Sequence, residues 1–385
     1  MRFCRLLIKV QVVVNTRMLI RDKIDGIGRF SLEILKRITS RHPEIHFVFL
    51  FDREYDEQFI FSDNVTPLVI SPKARHPVLY FYWFEFQVKS ILNKMNPDVF
   101  FSPDGFLSLG AKCKQVGVIH DINFFHHPKD LKWSYSKYYN HFFPKFARCA
   151  NSLITVSQKS KDDIISTYTI NPEKVQVAYN GISEGFYPRN ETKNEETKFN
   201  FSSGCPYFLY VGSIHPRKNI PVLLQAFDAF KNEFGTSHKL LLCGQLFWGM
   251  GEIEKVFRNM KFKEDVVLTG RVEETHLQEI YSAADCLTYV PYFEGFGIPL
   301  VEAMSSGIPI ITGNISCMPE IVGKAALLVN PHEVNEIKHA MHTISSDNSI
   351  RERLIKEGNL RSTAFNWDKS ADIIWSTLER VALGR

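Results

Sequence analysis

Short apolar runs alternate along this chain with longer stretches whose apolar positions recur every three or four residues. In the first half the short runs cover residues 6–14, 46–51, 67–70, 99–102, 115–119, 152–156 and 175–178. Helical patterns run from Asp25 to about Arg41, from the end of the aromatic run 78–86 to Met95 and over 134–149, and another opens at Ser157. Such alternation is the signal of a parallel sheet covered by helices on both faces. The second half repeats the arrangement. Its strand-like runs are 206–212, 239–243, 266–268, 286–290 and 309–312, the apolar stretch 325–331 follows, and its helices are expected over 220–234, 253–260, 274–282, 333–345, 350–360 and 367–381. Between the halves, the polar run 188–204 is rich in Asn, Glu, Lys, Thr and Ser and reads as a linker. The predicted fold class is therefore α/β, with two Rossmann-like, doubly wound parallel-sheet domains. The first spans 1–187, a linker follows over 188–205, the second spans 206–366, and 367–385 forms a closing helix.

Length supports two cores, because 385 residues and 44.5 kDa exceed what one compact core holds. The net charge of +4 is unevenly spread. Through Cys205, 28 Lys and Arg face 21 Asp and Glu, a net +7, and the remaining 18 face 21, a net −3. A basic first half suggests that one domain meets an anionic surface or acceptor. It also holds the aromatic runs 79–86, 124–125 and 135–146, so an anionic membrane surface is an expected partner of the first domain, and nucleic acid is not. The seven cysteines are scattered, with no Cys-x-x-Cys spacing, which indicates neither a zinc site nor a disulfide framework and suits thiols in a reducing cytoplasm. Residues 2–14 could pass for a signal peptide, but Lys9 and Gln11 interrupt the apolar run, and a first strand fits better. No stretch of 18 apolar residues occurs, so no membrane span is expected.

Candidate chemistry concentrates in residues 292–307. Glu294 and Glu302 stand eight residues apart, separated by Gly295-Phe296-Gly297 and by an amphipathic run from Ile298. The strand-like run 286–290 precedes them, so this is where a strand hands over to a helix. The two glycines let backbone approach a ligand closely, and the amides of the helix start offer a place for an anion. Glu294 is expected on the loop and Glu302 about two turns into the helix. A phosphate held by amides, flanked by two carboxylates that accept hydroxyl hydrogen bonds, describes a sugar nucleotide. After the run 206–212 comes Ser213-Ile-His-Pro-Arg217-Lys218-Asn219. Two cations at a helix N-terminus oppose its dipole by about 0.3–1 kcal/mol each, a placement more sensible if an anion sits between them. Asp25-Gly26-Ile27-Gly28 is a weaker signal, since it lacks the third glycine of a dinucleotide fingerprint. His120-Asp121 ends the run 115–119, at the carboxyl end of a strand, where ligands bind open α/β sheets. Asp121 is either a cap or the group that orients the imidazole.

The 292–307 stretch closely resembles the E-x7-E signature of the retaining glycosyltransferases of family 4, which have the fold called GT-B. The other signals resemble the family too: a Gly-x-Gly near the first helix (Gly26, Gly28), His-Asp after a first-domain strand (His120, Asp121), and Pro-Arg-Lys-Asn after the first strand of the second domain (Arg217, Lys218). So does a Gly-Arg-Val turn (Gly270, Val272). The resemblance covers nearly the whole chain, most specifically residues 210–331. It implies two domains facing each other across a cleft, with the last helix crossing back onto the first.

It also implies the roles. Arg217 and Lys218, with the amides of Gly295, Phe296, Gly297 and Ile298, would hold the donor diphosphate, and Gly28 would face its phosphates. Gly270 and Val272 would lie beside the base, and Glu302 would take the ribose hydroxyls. Glu294, His120, Asp121 and Gly26 would attend the donor sugar or acceptor. Many members carry an arginine where this chain has Ser213, which leaves the clamp to Arg217 and Lys218. No Asp-x-Asp occurs, so neither a metal nor another cofactor is expected. The implied activity is hexosyl transfer, first of all of mannose from GDP-mannose, to a glycan or lipid-linked acceptor in cell-surface polysaccharide synthesis, by a cytoplasmic enzyme at the inner membrane face. The alternatives are a non-catalytic GT-B subunit and another GT-B enzyme such as a sugar-nucleotide epimerase.

Overall fold

The computed structural model describes residues 10–21, 24–245 and 251–384. They form two compact units, Met1–Asn180 together with Trp367–Arg385, and Gly181–Asn366. The first unit is built on seven parallel strands: β1 (Gln11–Asn15), β2 (His46–Phe51), β3 (Val65–Val69), β4 (Val99–Ser102), β5 (Gln115–Val118), β6 (Ser152–Thr155) and β7 (Val175–Val177). Their order is β3-β2-β1-β4-β5-β6-β7. The chain thus runs outward from β1, then returns to lay β4 on the other side of β1 in the register Val12↔Val99. That reversal leaves a crevice beyond the carboxyl ends of β1 and β4, the usual ligand place in such sheets. Val12, Val13 and Val14 are fully buried, as strands covered on both faces require. The expected strand over residues 6–14 is seen from Gln11 on, and residues 6–9 lie outside the described residues.

Asp25 caps the helix Gly26–Arg41, its carboxylate accepting the Gly28 amide at 2.8 Å. Phe30, Ile34 and Ile38, four residues apart, bury one stripe of it. The closing helix Trp367–Leu383 belongs to this unit and packs against it. The Phe30 and Trp367 rings lie 6.1 Å apart, and Arg37 pairs with Asp368 at 2.9 Å.

The second unit has six parallel strands: β8 (Tyr207–Val211), β9 (Lys239–Cys243), β10 (Val266–Gly270), β11 (Cys286–Tyr289), β12 (Ile310–Gly313) and β13 (Ala326–Val329). The order β10-β9-β8-β11-β12-β13 again reverses beside its first strand. β8 and β11 are neighbours, with Phe208 opposite Cys286, so the turns that follow them emerge side by side.

The polar run 188–205 is not a linker. Residues Glu191–Ser202 form a helix inside the second unit, which begins at Gly181. Asn190 caps it by accepting the Lys193 amide at 2.9 Å, and Lys193 and Lys198 pair with Glu196 and Glu195. It is held to the helix Glu274–Ala283 through Ser282, which donates to Asn194, and through Lys193 and Glu279. A surface helix bound by polar contacts has no apolar stripe for the sequence to reveal. Among the described residues, no helix is long and apolar enough to cross a membrane.

Candidate active site

After β8 the chain passes Gly212 and Ser213 into a single 3-10 turn, Pro216–Lys218, ahead of the helix Ile220–Phe234. Asn219 joins turn to helix in the left-handed conformation (φ 61°), which asparagine tolerates. Its amide group donates to the carbonyls of Val290 (3.0 Å) and Pro331 (2.6 Å), fastening the turn to the ends of β11 and β13. From the other side, the Tyr292 amide donates to the Arg217 carbonyl at 3.0 Å. The loop carrying Glu294 is held by Ser316, whose hydroxyl donates to the Glu294 carbonyl at 2.7 Å. Gly297 (φ 86°) then opens the helix Ile298–Ser305, and no side chain caps it there.

These restraints bring Arg217, Lys218 and Glu294 together. Lys218 Nζ lies 2.5 Å from Glu294 Oε1 and also donates to the Tyr289 hydroxyl at 2.5 Å, and Arg217 Nη1 pairs with the same carboxylate oxygen. Lys218 and Glu294 are each only 8% exposed. Burial pushes the Glu294 pKa up, but Arg217 and Lys218 outweigh it and hold the carboxyl below its ordinary value. Tyr289 is driven well above the usual phenol range by burial and by Glu294, so it stays a hydroxyl. Tyr210 stacks on it at 6.0 Å. The cations therefore sit in the turn before the helix rather than in its first turn, and an anion does lie between them. It is the carboxylate of Glu294.

Glu302 lies one turn into its helix, not two, because the helix begins only at Ile298. The hydroxyl of fully buried Tyr281 donates to Glu302 Oε2 at 2.8 Å. Along the same sheet edge, the Gly212 amide donates to the Cys243 carbonyl and the Gly244 amide to the Gly270 carbonyl, both at 2.9 Å. A Cβ on Gly244 would strike the Gly212 carbonyl. Gly270 closes β10, and Ser213 and Val272 lie just beyond the carboxyl ends of β8 and β10, which flank β9.

The first unit has its own polar cluster. His120 Nε2 is 2.9 Å from the Pro103 carbonyl, and its ring meets Phe30 edge-on at 4.9 Å. Burial lowers the His120 pKa, so the imidazole is neutral at neutral pH. A carbonyl only accepts, so Nε2 carries the proton and Nδ1 is the acceptor. Asp121 instead accepts the Asn123 amide at 3.0 Å, in a local turn ahead of the short helix Asn123–His126. Pro103, rather than Asp121, makes the hydrogen bond to the imidazole. The Gly28 amide is engaged by Asp25, and a Cβ there would lie 2.9 Å from the Met18 carbonyl, so close packing accounts for that glycine. Gly26 is the first residue of the helix. Sequence reasoning missed the buried group at the β1/β4 crevice: Asn15 donates to Ser102 (3.0 Å) and Asp104 (2.8 Å), and Arg17 pairs with Asp104 at 2.6 Å under the rings of Tyr80 and Phe106. It also missed Tyr281, Tyr289 and the fastening role of Asn219. No spacing marks the tyrosines; Asn219 could have been found, since a polar αL-tolerant residue ends the basic turn.

Two family models match, "Glycosyltransferase Family 4" over residues 24–185 and "Glycosyl transferases group 1" over residues 191–361. The chain belongs to the family 4 glycosyltransferases. Among curated relatives, O-antigen chain mannosyltransferase B of Escherichia coli is 27% identical over 364 residues, covering 91% of this chain and 94% of that protein. O-antigen chain mannosyltransferase RfbU of Salmonella typhimurium is 32% identical over 60% of each chain. Among solved structures, Anabaena Alr3699/HepE, in complex with UDP and glucose, matches with a TM-score of 0.75 at 17% identity, over 96% of this chain and 99% of its own. WaaG, a glycosyltransferase involved in lipopolysaccharide biosynthesis, gives 0.74 at 17% identity over 95% and 99%. The fold is GT-B, and the chain is a glycosyltransferase.

Proposed function

We propose that this glycosyltransferase moves mannose from GDP-mannose, with retention of anomeric configuration, to a glycan or lipid-linked acceptor during synthesis of a cell-surface polysaccharide. The observation that carries the reading is the Arg217–Lys218–Glu294 constellation at the β8/β11 switch point. Breaking the glycosidic bond of a sugar nucleotide builds negative charge on the leaving diphosphate, which fixed cations stabilise. The Arg217 guanidinium grips two phosphate oxygens at once, while Lys218 supplies a point charge. When the diphosphate enters, it takes the place of the Glu294 carboxylate between them. Glu294 is then released to accept hydroxyl hydrogen bonds from the donor sugar, and Glu302, steadied by Tyr281, takes those of the ribose.

This clamp supplies the charge that a metal ion supplies elsewhere, so transfer needs no metal. In the family's front-face transfer, which we adopt, a leaving phosphate oxygen deprotonates the acceptor hydroxyl. Mannose rests on the O-antigen mannosyltransferase relatives, and the guanine base is part of the proposal. The excess of Lys and Arg in the first half favours work at an anionic membrane surface, against which the basic first unit would rest. The test is thermal stabilisation by GDP, UDP, ADP and dTDP, followed by analysis of the product formed from GDP-mannose. Selective stabilisation by GDP and an α-mannoside product are expected. Stabilisation by UDP alone would replace the donor, and a β-linked product would refute retention.

A further inference from the structure

The segment 77–95 is not one regular helix. Pro77–Tyr82 is α-helical, Trp83–Val88 opens into a π-helix, and Lys89–Met95 returns to α. One face of it belongs to the core through Tyr80, Trp83, Phe84, Val88 and Leu92. The Trp83 indole donates to the Ile70 carbonyl at 2.9 Å, and Glu85 accepts the amides of Leu109 and Gly110. The opposite face is apolar and open to solvent: Val78 is 68% exposed, Phe81 and Tyr82 41%, and Phe86 55%. Residues five apart on an α-helix point about 140° away from each other. The wider π-turn brings Phe86 to 6.0 Å from Phe81 and stacks it on Tyr82 at 5.6 Å. π-turns are uncommon and concentrate at functional sites. Here the turn assembles an exposed aromatic face on a rigid base.

A basic row adjoins that face. Phe142, on the helix Trp133–Cys149, lies 5.8 Å from Phe81. Beside it run Trp133, Lys137, His141 and Lys145, exposed and four residues apart, hence on one stripe. Lys145 Nζ stands 5.5 Å over the Phe142 ring and 2.7 Å from His141 Nε2. Residues 71–97 contain four Lys or Arg and residues 131–151 another four, against the single acid Glu85, which is turned onto backbone amides. Exposed apolar patches mark interaction sites. Aromatic rings next to one-sided positive charge suit the boundary of an anionic bilayer, where rings lie among headgroups and cations face their phosphates.

We propose that the Val78–Phe81–Tyr82–Phe86 face, with the Lys137–His141–Lys145 row, is a docking surface for a bilayer containing anionic phospholipid. This deepens the membrane reading above and rests on it. The test is co-sedimentation of the full chain with phosphatidylcholine vesicles, with or without phosphatidylglycerol, at low and high salt. The variants are Phe81→Ser with Phe86→Ser, and Lys137→Glu with Lys145→Glu. Wild type should pellet with phosphatidylglycerol vesicles at low salt and be largely released at high salt. Removing two cations should weaken partition at least about twenty-five-fold, at roughly fivefold each. The aromatic pair should abolish binding at both salts. Circular dichroism and nucleotide-induced stabilisation, measured on every variant, certify fold and clamp. Wild type left in the supernatant at low salt overturns the proposal, as do folded variants that pellet like wild type. Dimerisation in the ultracentrifuge that is lost with Phe86→Ser also overturns it and assigns the face to a second copy. With nucleotide stabilisation intact, those outcomes leave the glycosyltransferase assignment standing; vesicle binding without any nucleotide binding would overturn the proposed donor chemistry alone.

Discussion

Replacing Glu294 by Gln preserves the loop's shape and removes the carboxylate that pairs with both Arg217 and Lys218. The Lys218 and Glu294 side chains are each 9% exposed, and Arg217 is 23% exposed. Removing one partner of a buried ion pair destabilises by about 3–5 kcal/mol. Solvent reaches Arg217 and the new amide still accepts a hydrogen bond, so the expected loss sits at the low end, about 3 kcal/mol. In a unit of this size each kcal/mol moves Tm by roughly 2–4 °C, so ligand-free Glu294→Gln should melt roughly 6–12 °C below wild type. Nucleoside diphosphate should reverse the order of effects. In wild type it must displace a carboxylate from the cations, whereas in the variant those contacts are already gone. The rise in Tm on adding diphosphate should therefore be larger for Glu294→Gln, and its Kd no weaker, while transfer falls at least about a hundredfold. Scanning fluorimetry with and without diphosphate, beside a turnover assay, reads all three. An unchanged ligand-free Tm, or a smaller diphosphate shift than in wild type, would refute the exchange of anions in the clamp.

Three further outcomes are expected. Tyr281→Phe deletes the donor to Glu302 and should weaken diphosphate binding by about 1 kcal/mol, roughly fivefold, with kcat unchanged; a fall in kcat at constant Kd would contradict that role. The depressed Glu294 carboxyl contributes stability that is fully present above its ordinary value near 4.3 and lost as pH falls through its folded value. Urea melts of wild type and Glu294→Gln should therefore converge as pH falls below about 4. His120, buried neutral, acts at higher pH: the unfolded chain takes up its proton first, so stability should decline as pH falls below about 6.5. His120→Gln should flatten that slope, and equal slopes in the two proteins would disprove the buried neutral imidazole.

The alternation of buried strands with helical stretches was legible because strands covered on both faces leave few polar positions, and most expected runs match strands within a residue or two. Arg217, Lys218 and Glu294 were legible as chemistry because cations and carboxylates beside glycines at strand ends are unusual. Their mutual contact was not legible, since it depends on β11 pairing with β8 across many intervening residues. Tyr281 and Tyr289 read as ordinary strand and helix residues, and only tertiary packing aims their hydroxyls at Glu302 and at Lys218. The Glu191–Ser202 helix escaped notice because its polarity, which reads as a linker, is how it binds its neighbour. At Gly28 the Met18 carbonyl lies 2.9 Å from where a Cβ would stand, a close approach that the sequence does not show.

Release of nucleoside diphosphate from GDP-mannose in excess chelator, by wild type and by Lys218→Ala, tests the central claim most directly. Wild type should retain its rate in chelator. Lys218→Ala should lose release while still folding, as judged by circular dichroism. Activity that vanishes in chelator and returns with manganese, or a folded Lys218→Ala that turns over like wild type, would contradict a clamp built from Arg217 and Lys218.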